Sequence, residues 1–162
     1  MVAFAVVGAC SNELIPEDTV SSYLKGVQSK NHEQALSNWE TLSVGMIDDS
    51  LNEKGKLSRI NSRIGLEKLL YTGLSETLDS FTWTVDKSIY YQQNELGYIE
   101  TDQARNANLA TVQVKFAINY KDGSGRTTKI GFNLWMTNNG IWRIVGLDMS
   151  TSHLLTLFQD TF

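Results

Sequence analysis

The sequence predicts an α+β fold in which N-terminal helices pack on a curved antiparallel sheet of about four to six strands. In the first half of the chain, apolar residues recur every three or four positions, as on one face of a helix. From Phe81 onward they alternate with polar residues, as on a strand. The Asn139-Gly140 pair between two apolar runs is typical of a tight turn joining antiparallel strands.

Three helices are predicted before the sheet. Pro16 suits the first turn of a helix of about 14 residues. Asn31 has the spacing to cap a second helix together with Gln34, three positions later. A polar loop is expected over 48–55, followed by a third helix over 58–77. The expected apolar stripes are Val20, Tyr23, Leu24 and Val27 on the first helix, and Ala35, Leu36, Trp39 and Leu42 on the second.

Four strands are predicted after the helices, near 81–90, 110–120, 130–137 and 141–149. The residues expected on one face of the first strand are Phe81, Trp83, Val85, Lys87 and Ile89. The segment "TDQARNAN" (101–108) is expected as the hairpin loop after this strand, and Asn139-Gly140 as a two-residue turn. The apolar C-terminal segment is expected to form a short helix that covers a sheet edge, with a loose apolar tail that binds a partner as the alternative, because large exposed apolar clusters are uncommon on soluble monomers.

Composition predicts one domain, over 16–162, with no affinity for nucleic acid. The chain has 162 residues, of which 41% are hydrophobic, enough for a single core. Fourteen Lys and Arg against 18 Asp and Glu give a formal charge of -4, and no basic block is present to hold a phosphate backbone. The densest basic patch, which we expect to be a solvated helix face, is Lys54, Lys56, Arg59 and Arg63.

The first ten residues, "MVAFAVVGAC", end at the only cysteine of the chain. Val7-Gly8-Ala9-Cys10 resembles a bacterial lipobox, in which small residues precede a cysteine that is acylated. We therefore expect 1–10 to be the remnant of a lipoprotein signal, Cys10 to carry the lipid, and 11–15 to be a short linker. The protein would then be extracytoplasmic, lipid-anchored to a bacterial membrane in the cell envelope.

Two observations bear on this interpretation of the N-terminus. No Lys or Arg precedes Cys10, although an export signal normally has a charged front end, so an N-terminal strand with an incidental cysteine stays the alternative. A transmembrane helix is excluded for this stretch, because spanning a bilayer takes ~20 apolar residues.

The order of elements resembles the nuclear-transport-factor-2-like superfamily, the cystatin-like α+β cone. "PEDTVSSYLKGVQSKNHEQAL" is similar to its first two helices, and "NLATVQVKFAINYKDGSGRTTKIGFNLWMTNNGIWRIVGLDM" is similar to its closing three-stranded meander. The resemblance covers 17–149 and implies a conical pocket between the bent sheet and the helices. It also implies a bacterial lipoprotein, because members with a lipobox are familiar among envelope proteins. In the enzymes of this superfamily, an Asp or His in the cone moves protons.

Candidates for catalysis or metal binding are few. Asp148 is the one weak catalytic candidate, because it shares a strand face with Trp142 and Ile144, and apolar neighbours favour the protonated form of a carboxyl group. His32 and His153 are far apart in sequence and have no cluster of Cys or carboxylate residues at ligand spacing. We therefore expect no metal and no cofactor.

The aromatic residues suggest a binding pocket. Such side chains can hold an apolar small molecule or a glycan, although aromatic residues more often simply form the core. The pocket candidates are Tyr23, Trp39, Trp83, Phe132, Trp135 and Trp142. Apolar residues also occur on both faces of the last strands, as at Trp135 and Val145, so a homodimer formed through the outer sheet face is a further hypothesis.

Three functions from different classes follow. The first is a lipid-anchored envelope protein that binds a small molecule, a glycan or a protein partner without catalysis, and it requires an aromatic cavity. The second is an assembly subunit of a secretion, conjugation or wall-building apparatus, and it requires a filled cone and a large apolar outer patch. The third is a small isomerase, dehydratase or cyclase, and it requires a buried Asp148 beside a polar partner. We favour the first.

Overall fold

The helices of the protein flank the sheet in sequence, three before it and one after it in the part of the chain that is described. The structure is a computed structural model that describes residues 15–41 and 50–159. The helices are α1 (Pro16–Gln28), α2 (His32–Leu36), α3 (Glu53–Thr72) and α4 (Thr151–Gln159). Cys10 and the rest of the proposed lipobox lie outside the described residues, so lipid attachment stays a prediction.

α1 and α2 begin where the sequence predicts. Pro16 occupies the first turn of α1. The Asn31 side chain accepts a hydrogen bond from the backbone N–H of Gln34 at 3.1 Å, which caps α2. α2 is only five residues long, so Trp39 of the predicted stripe lies beyond the helix. There it forms an isolated parallel bridge with Ile144, which returns the chain to the sheet.

α3 is longer at its N-terminus than predicted. It begins at Glu53 rather than at residue 58, because the Asn52 side chain accepts a backbone N–H of the first turn and caps the helix there. The sequence predicts that this helix ends at residue 77, and a π-helical segment, Gly73–Thr77, continues α3 to that residue. Leu42 and residues 48–49 of the predicted loop lie outside the described residues.

The sheet has five strands, all antiparallel, in the order β2-β1-β3-β4-β5. Their bounds are β1 (Leu78–Asn94), β2 (Gly97–Thr101), β3 (Leu109–Tyr120), β4 (Gly125–Met136) and β5 (Trp142–Leu147). The central strand β3 alternates as predicted, with Val112, Val114 and Phe116 buried on the face toward the helices. The predicted fold class, α+β with four to six strands, is confirmed.

A β-bulge at Asp86 reverses the faces of β1. Before the bulge, Val85 is paired with Val114, and after it Lys87 is paired with Gln113, so Asp86 is an extra residue. The single alternation predicted from Phe81 to Ile89 is therefore wrong beyond Val85. Lys87 and Ile89 lie on the outer face of the sheet, while Ser88 and Tyr90, which pair with Val112 and Ala110, lie on the helix side.

Side chains at and after the bulge make polar contacts on both faces of the sheet. The carboxylate of Asp86 accepts a hydrogen bond from Lys129 Nζ at 2.6 Å, and Lys129 stands directly opposite Lys115 in the ladder. The hydrogen bond from Lys129 lowers the pKa of Asp86, and the charge of Lys115 acts in the same direction. On the helix side, the Tyr90 hydroxyl donates a hydrogen bond to Glu17 Oε1 in the first turn of α1. β1 is thus bonded to β4 on the outer face of the sheet and to α1 on the helix side.

The first hairpin lies earlier in the chain than the sequence predicts. β1 turns at residues 95–96 into β2, and Gly97 has a φ of +128°, which only glycine adopts readily. β2 is too short and too exposed for its pattern to stand out. The predicted loop 101–108 instead carries a 3₁₀ turn, Ala104–Asn106, that joins β2 to β3.

The turn between β4 and β5 is a three-residue loop rather than the predicted two-residue turn. The Thr137 N–H donates to the Ile141 carbonyl at 2.9 Å and closes the loop. Gly140 has a φ of +72°, whereas the φ of Asn139 is not positive. A glycine in the left-handed region at the last loop position is typical of three-residue hairpins.

α4 is the predicted short C-terminal helix, but it covers the end of the central strand β3 and not a sheet edge. Leu154, Leu157 and Phe158 are buried, while Leu155 is exposed. The Tyr120 hydroxyl donates a hydrogen bond to the Leu157 carbonyl at 2.9 Å, which ties α4 to the end of β3. α4 also packs against α3 and the π-helical segment, where the Phe158 ring lies over Gly73.

We predict that Gly73→Ala destabilises the protein by about 1–3 kcal/mol, because a Cβ at position 73 would overlap the Phe158 ring. The backbone of Gly73, with φ -57° and ψ -52°, is suitable for alanine, so the cost arises from packing alone. Urea unfolding measures the free energy change.

The matched control is Gly65→Ala, because nothing lies within 4 Å of a Cβ at this exposed position of α3. Alanine has the higher helix propensity, so this variant should gain up to ~1 kcal/mol. Equal effects of the two substitutions would contradict the packing argument.

Candidate functional site

A cavity of 690 Å³ lies between α2 and one face of α3, and we call it the helix cavity. Ligand pockets of small molecules typically have volumes of about 300–1,000 Å³. Residues at helical spacing on α3 and the π-helical segment form one wall. The other wall consists of α2 and of Thr41, which lies five residues beyond the end of α2. The lining residues are His32, Leu36, Thr41, Ile60, Arg63, Ile64, Glu67, Lys68, Tyr71, Thr72 and Glu76.

The rim of the helix cavity is apolar in part, since other exposed lining residues, such as Lys68 and Glu76, are charged. Leu36 and Ile64 are among the exposed large hydrophobic residues of the protein, and both line the cavity together with Ile60. Leaving such side chains in water is unfavourable, at roughly 25 cal/mol per Å² of apolar surface. An apolar ligand in the cavity would bury part of this surface.

Arg63 is held in a fixed position on the α3 wall. Its Nη2 donates a hydrogen bond to the backbone carbonyl of Glu40, and its guanidinium carbon lies 5.9 Å from the centre of the Trp39 ring, within the range of a cation–π contact. Only 11% of the side chain is exposed, and this burial lowers the pKa of Arg63. Nη1 has no hydrogen-bond partner among the described residues.

Glu67 lies one helical turn from Arg63 but is not closely paired with it. Its Oε2 is 4.0 Å from Arg63 Nη2, beyond hydrogen-bond distance, and 12% of its side chain is exposed. Burial raises the pKa of Glu67, while the charges of Arg63 and His32 act in the opposite direction. The cavity therefore holds a carboxyl group that is easier to protonate than an ordinary glutamate.

Tyr23 and Trp39 belong to the core that borders this polar pair. Their rings meet edge to face at 5.8 Å, and Tyr23 packs on Phe132 at 6.0 Å in the same manner. The Tyr23 hydroxyl and Trp39 Nε1 are buried next to each other, and neither has another hydrogen-bond partner in the described part of the chain. Burial raises the pKa of Tyr23 above its ordinary value, and the charge of Glu67 raises it further.

The aromatic pocket candidates are divided between the core and the surface. Tyr23, Trp39, Phe132 and Trp142 are buried and line none of the three cavities described for this protein. Trp83 is half-buried on β1, where its ring lies 6.0 Å from that of Phe81. The structure thus places four of the candidates in a filled core between the helices and the sheet.

Trp135 lies in a second cavity, of 580 Å³, at the β4–β5 end of the sheet. Its Nε1 donates a hydrogen bond to Glu40 Oε2 at 3.4 Å, and Arg143 stands opposite it in the ladder. Around Trp135, the outer sheet face carries both apolar and polar residues, because Leu109 is paired with Trp135 and with Tyr91, and Thr111 and Asn133 lie beside them.

Asp148 lies just beyond β5 and is exposed. Its Cβ is close to the space that a side chain at Gly131 would occupy, so it lies over β4. It lines none of the three described cavities. The buried position that a catalytic Asp148 requires is therefore not observed.

The two histidines remain apart. His32 meets the Tyr71 ring at 4.9 Å on the wall of the helix cavity, and His153 is exposed on α4. Within 15–41 and 50–159, no group of three or more His, Cys, Asp or Glu side chains has the arrangement of a metal site. The helices of these ranges also include none that is long and apolar enough to cross a membrane.

Arg63 and Glu67 were missed as site residues because the basic patch was expected to be solvated. That expectation is wrong for Lys56 and Arg63, whose side chains are both 11% exposed. A signal was present in the sequence: Arg63 and Glu67 are four residues apart and lie on the same helical face as the apolar Ile60 and Ile64.

Comparisons with known proteins give structural likenesses only. No protein-family model matches the sequence, and no curated protein matches it either. A ketosteroid isomerase-like protein from Erwinia carotovora atroseptica SCRI1043 matches with a TM-score of 0.44 and 11% identity, over 85% of this chain and 94% of that chain. A nuclear transport factor 2 (NTF2-like) superfamily protein from Salmonella enterica serovar Typhimurium LT2 matches with a TM-score of 0.43 and 17% identity, over 82% and 85%. With TM-scores below 0.5, the function must be argued from the residues of this chain.

We predict that Glu67→Gln raises the melting temperature at about pH 8 and that the gain disappears toward about pH 4. Because the pKa of Glu67 is raised in the folded state, the protonated form of this side chain favours folding. The contribution is complete at pH values below the ordinary glutamate pKa. This contribution is lost as the pH rises through the higher pKa of the folded state, and glutamine does not lose it. Thermal unfolding across this pH range measures the difference.

The control is Glu100→Gln on the exposed edge strand β2, which should leave the melting temperature unchanged at every pH. A melting temperature of Glu67→Gln below that of the wild type at about pH 8 would show that the charged carboxylate stabilises the fold, contrary to this expectation.

Proposed function

We propose that this chain is a lipid-anchored envelope protein that binds a small amphiphilic molecule in the helix cavity, without catalysis. The observation that carries the proposal is the cavity itself, with exposed apolar residues at its rim and a fixed guanidinium beside a loosely paired carboxyl group in its wall. An apolar lining with a few placed polar groups is typical of small-molecule sites.

The position of the cavity supports a small ligand over a protein partner. Tyr23, Phe132 and Trp142 are buried between the sheet and the helices, and the helix cavity lies outside this core, between α2 and α3. The outer sheet face has Lys115 and Lys129 exposed near its centre, and the apolar residues Ile89, Tyr91, Leu109 and Trp135 lie toward one end of it. An assembly subunit, in contrast, requires a large apolar patch on that face.

The alternative of a proton-transferring isomerase, dehydratase or cyclase was based on Asp148. Its exposed position beyond β5 does not favour that role, because a general base must come within hydrogen-bond reach of a bound substrate.

We predict that Ile64→Trp weakens the binding of the apolar fluorophore N-phenyl-1-naphthylamine at least about tenfold, a change of ~1.4 kcal/mol. An indole ring at position 64 would occupy the cavity, which Ile64 lines. Fluorescence titration of the folded variant gives the dissociation constant.

Leu57→Trp is a matched control. Leu57 is on the same helix and is 51% exposed, as is Ile64, but it does not line the cavity. This variant should bind the fluorophore as the wild type does. If both variants lose affinity equally, or neither does, the helix cavity is not the binding site.

The anchoring part of the proposal depends on Val7-Gly8-Ala9-Cys10, which resembles a lipobox. We predict that wild-type protein in a bacterial host incorporates a fatty-acid analogue and sediments with membranes, and that Cys10→Ala abolishes both. The acyl chain is attached at the cysteine, so no other residue can replace it. Ser11→Ala is the control and should retain label and membrane fraction. Unchanged labelling of Cys10→Ala would exclude a lipid anchor at this position.

A further inference from the structure

The polar groups of the helix cavity indicate which kind of amphiphile it takes. Arg63 and Lys68 on α3 and His32 on α2 are basic, whereas Glu67 and Glu76 are acidic. Of these groups, Arg63 is the one fixed by contacts on two sides, from the Glu40 carbonyl and the Trp39 ring. Such a guanidinium loses little side-chain freedom when it binds an anion.

Arg63 also has hydrogen-bonding capacity to spare. A guanidinium has five N–H donors, and the described residues provide one hydrogen-bond acceptor, the Glu40 carbonyl. Glu67 Oε2, at 4.0 Å, is too distant to accept a hydrogen bond. A buried donor without an acceptor is unfavourable, so an anionic ligand group that reaches the guanidinium gains more than it would in water.

We propose that the helix cavity binds single-chain amphiphiles with an anionic head, that the head pairs with Arg63, and that Glu67 takes up a proton from solvent when such a ligand binds. The apolar chain of the ligand would lie along Leu36, Ile60 and Ile64. This inference rests on the proposed binding function and names the ligand class of the same site.

The proton follows from the position of Glu67. Its carboxylate lies one helical turn from Arg63 on the same wall, so an anionic head on Arg63 would face a second negative charge. The low exposure of Glu67 already raises its pKa, and a bound anion would raise it further. Once protonated, Glu67 no longer repels the head and can donate a hydrogen bond to it.

Other groups face Glu67 and bear on the same titration. The same cavity is lined by Arg63, Lys68, Tyr71 and Glu76 on the α3 side and by His32 on α2; the charge of Glu67 also acts on Tyr23 of α1, and the charge of Glu40 acts on Arg63. Because His32 lines the same cavity, the experiment must separate its proton from that of Glu67. The isosteric substitution Glu67→Gln does so, since it leaves His32 in place.

The experiment is calorimetric titration of the full chain with decyl sulfate, decanol and decyltrimethylammonium, below their micellar concentrations. Decyl sulfate stays charged from about pH 5 to about pH 8, so any pH dependence belongs to the protein. We expect decyl sulfate to bind at least about tenfold more tightly than decanol or the cation at about pH 5. Its affinity should fall as the pH rises. Titration in two buffers of different ionisation enthalpy should show net proton uptake.

Three variants identify the groups. Glu67→Gln should bind decyl sulfate more tightly than the wild type at about pH 8, without proton uptake and with a flatter pH dependence. Arg63→Lys, which keeps the charge but removes the planar fork, should lose most of the preference for decyl sulfate over decanol. Arg59→Ala is the matched control, since Arg59 is exposed on α3 and lies outside the cavity, and it should behave as the wild type.

The outcomes separate this inference from the function on which it rests. If none of the three probes binds, the proposed binding function fails. If decanol or the cation binds as tightly as decyl sulfate, binding stands and anion selectivity is overturned. Proton uptake that persists in Glu67→Gln would assign the proton to another group, such as His32, and would overturn the role of Glu67.

Discussion

The backbone of residues 38–40 pairs with β5, and the positions of the core aromatic residues, of the cavity wall and of one sheet edge depend on this short bridge. The Asn38 carbonyl accepts the N–H of Ile144 at 2.9 Å, and the N–H of Glu40 donates to the carbonyl of Ile144 at 2.9 Å. Between these two bonds, the Trp39 ring enters the core against Tyr23. The Glu40 carbonyl then receives the Arg63 guanidinium, and the Glu40 carboxylate receives Trp135 Nε1. A single pairing thus positions core, cavity wall and sheet edge.

The same bridge explains why the free volume lies where it does. Because the chain leaves α2 after five residues and turns to β5, α2 is too short to pack along α3. Trp39, which a longer α2 would have carried on its own surface, instead enters the core beside Tyr23. An opening therefore remains between α2 and α3, and charged groups are among the side chains that line it.

Much of the fold was accessible from periodicity. The strict alternation of β3, the Asn31 cap and the apolar face of α4 all have strong local signals, and they agree with the structure. The bulge at Asp86 and the short strand β2 did not, since they depend on pairing with neighbouring strands rather than on local sequence.

The candidate site was far less accessible. The aromatic residues allowed two interpretations, a lined cone or a packed core, and four of the six candidates are buried in the core. Arg63 and Glu67 have the helical spacing of an ordinary surface ion pair, and sequence alone does not show that α2 stands in front of them. Burial, which alters their chemistry, arises from tertiary contact and has no local signature.

The bulge in β1 has a consequence for how this strand can change in length. Val85 and Lys87 belong to two different alternation frames, and Asp86 is the residue that separates them. Removing Asp86 would join the two frames into one regular alternation, in which Lys87 and Ile89 keep the outer face and Tyr90 keeps the helix side, where it bonds to Glu17. A single deletion elsewhere in β1 would instead move the neighbouring residues to the opposite face, because successive side chains of a strand alternate. β1 can therefore lose one residue at position 86, together with the contact to Lys129, whereas at its other positions the two faces are kept only by changes of two residues.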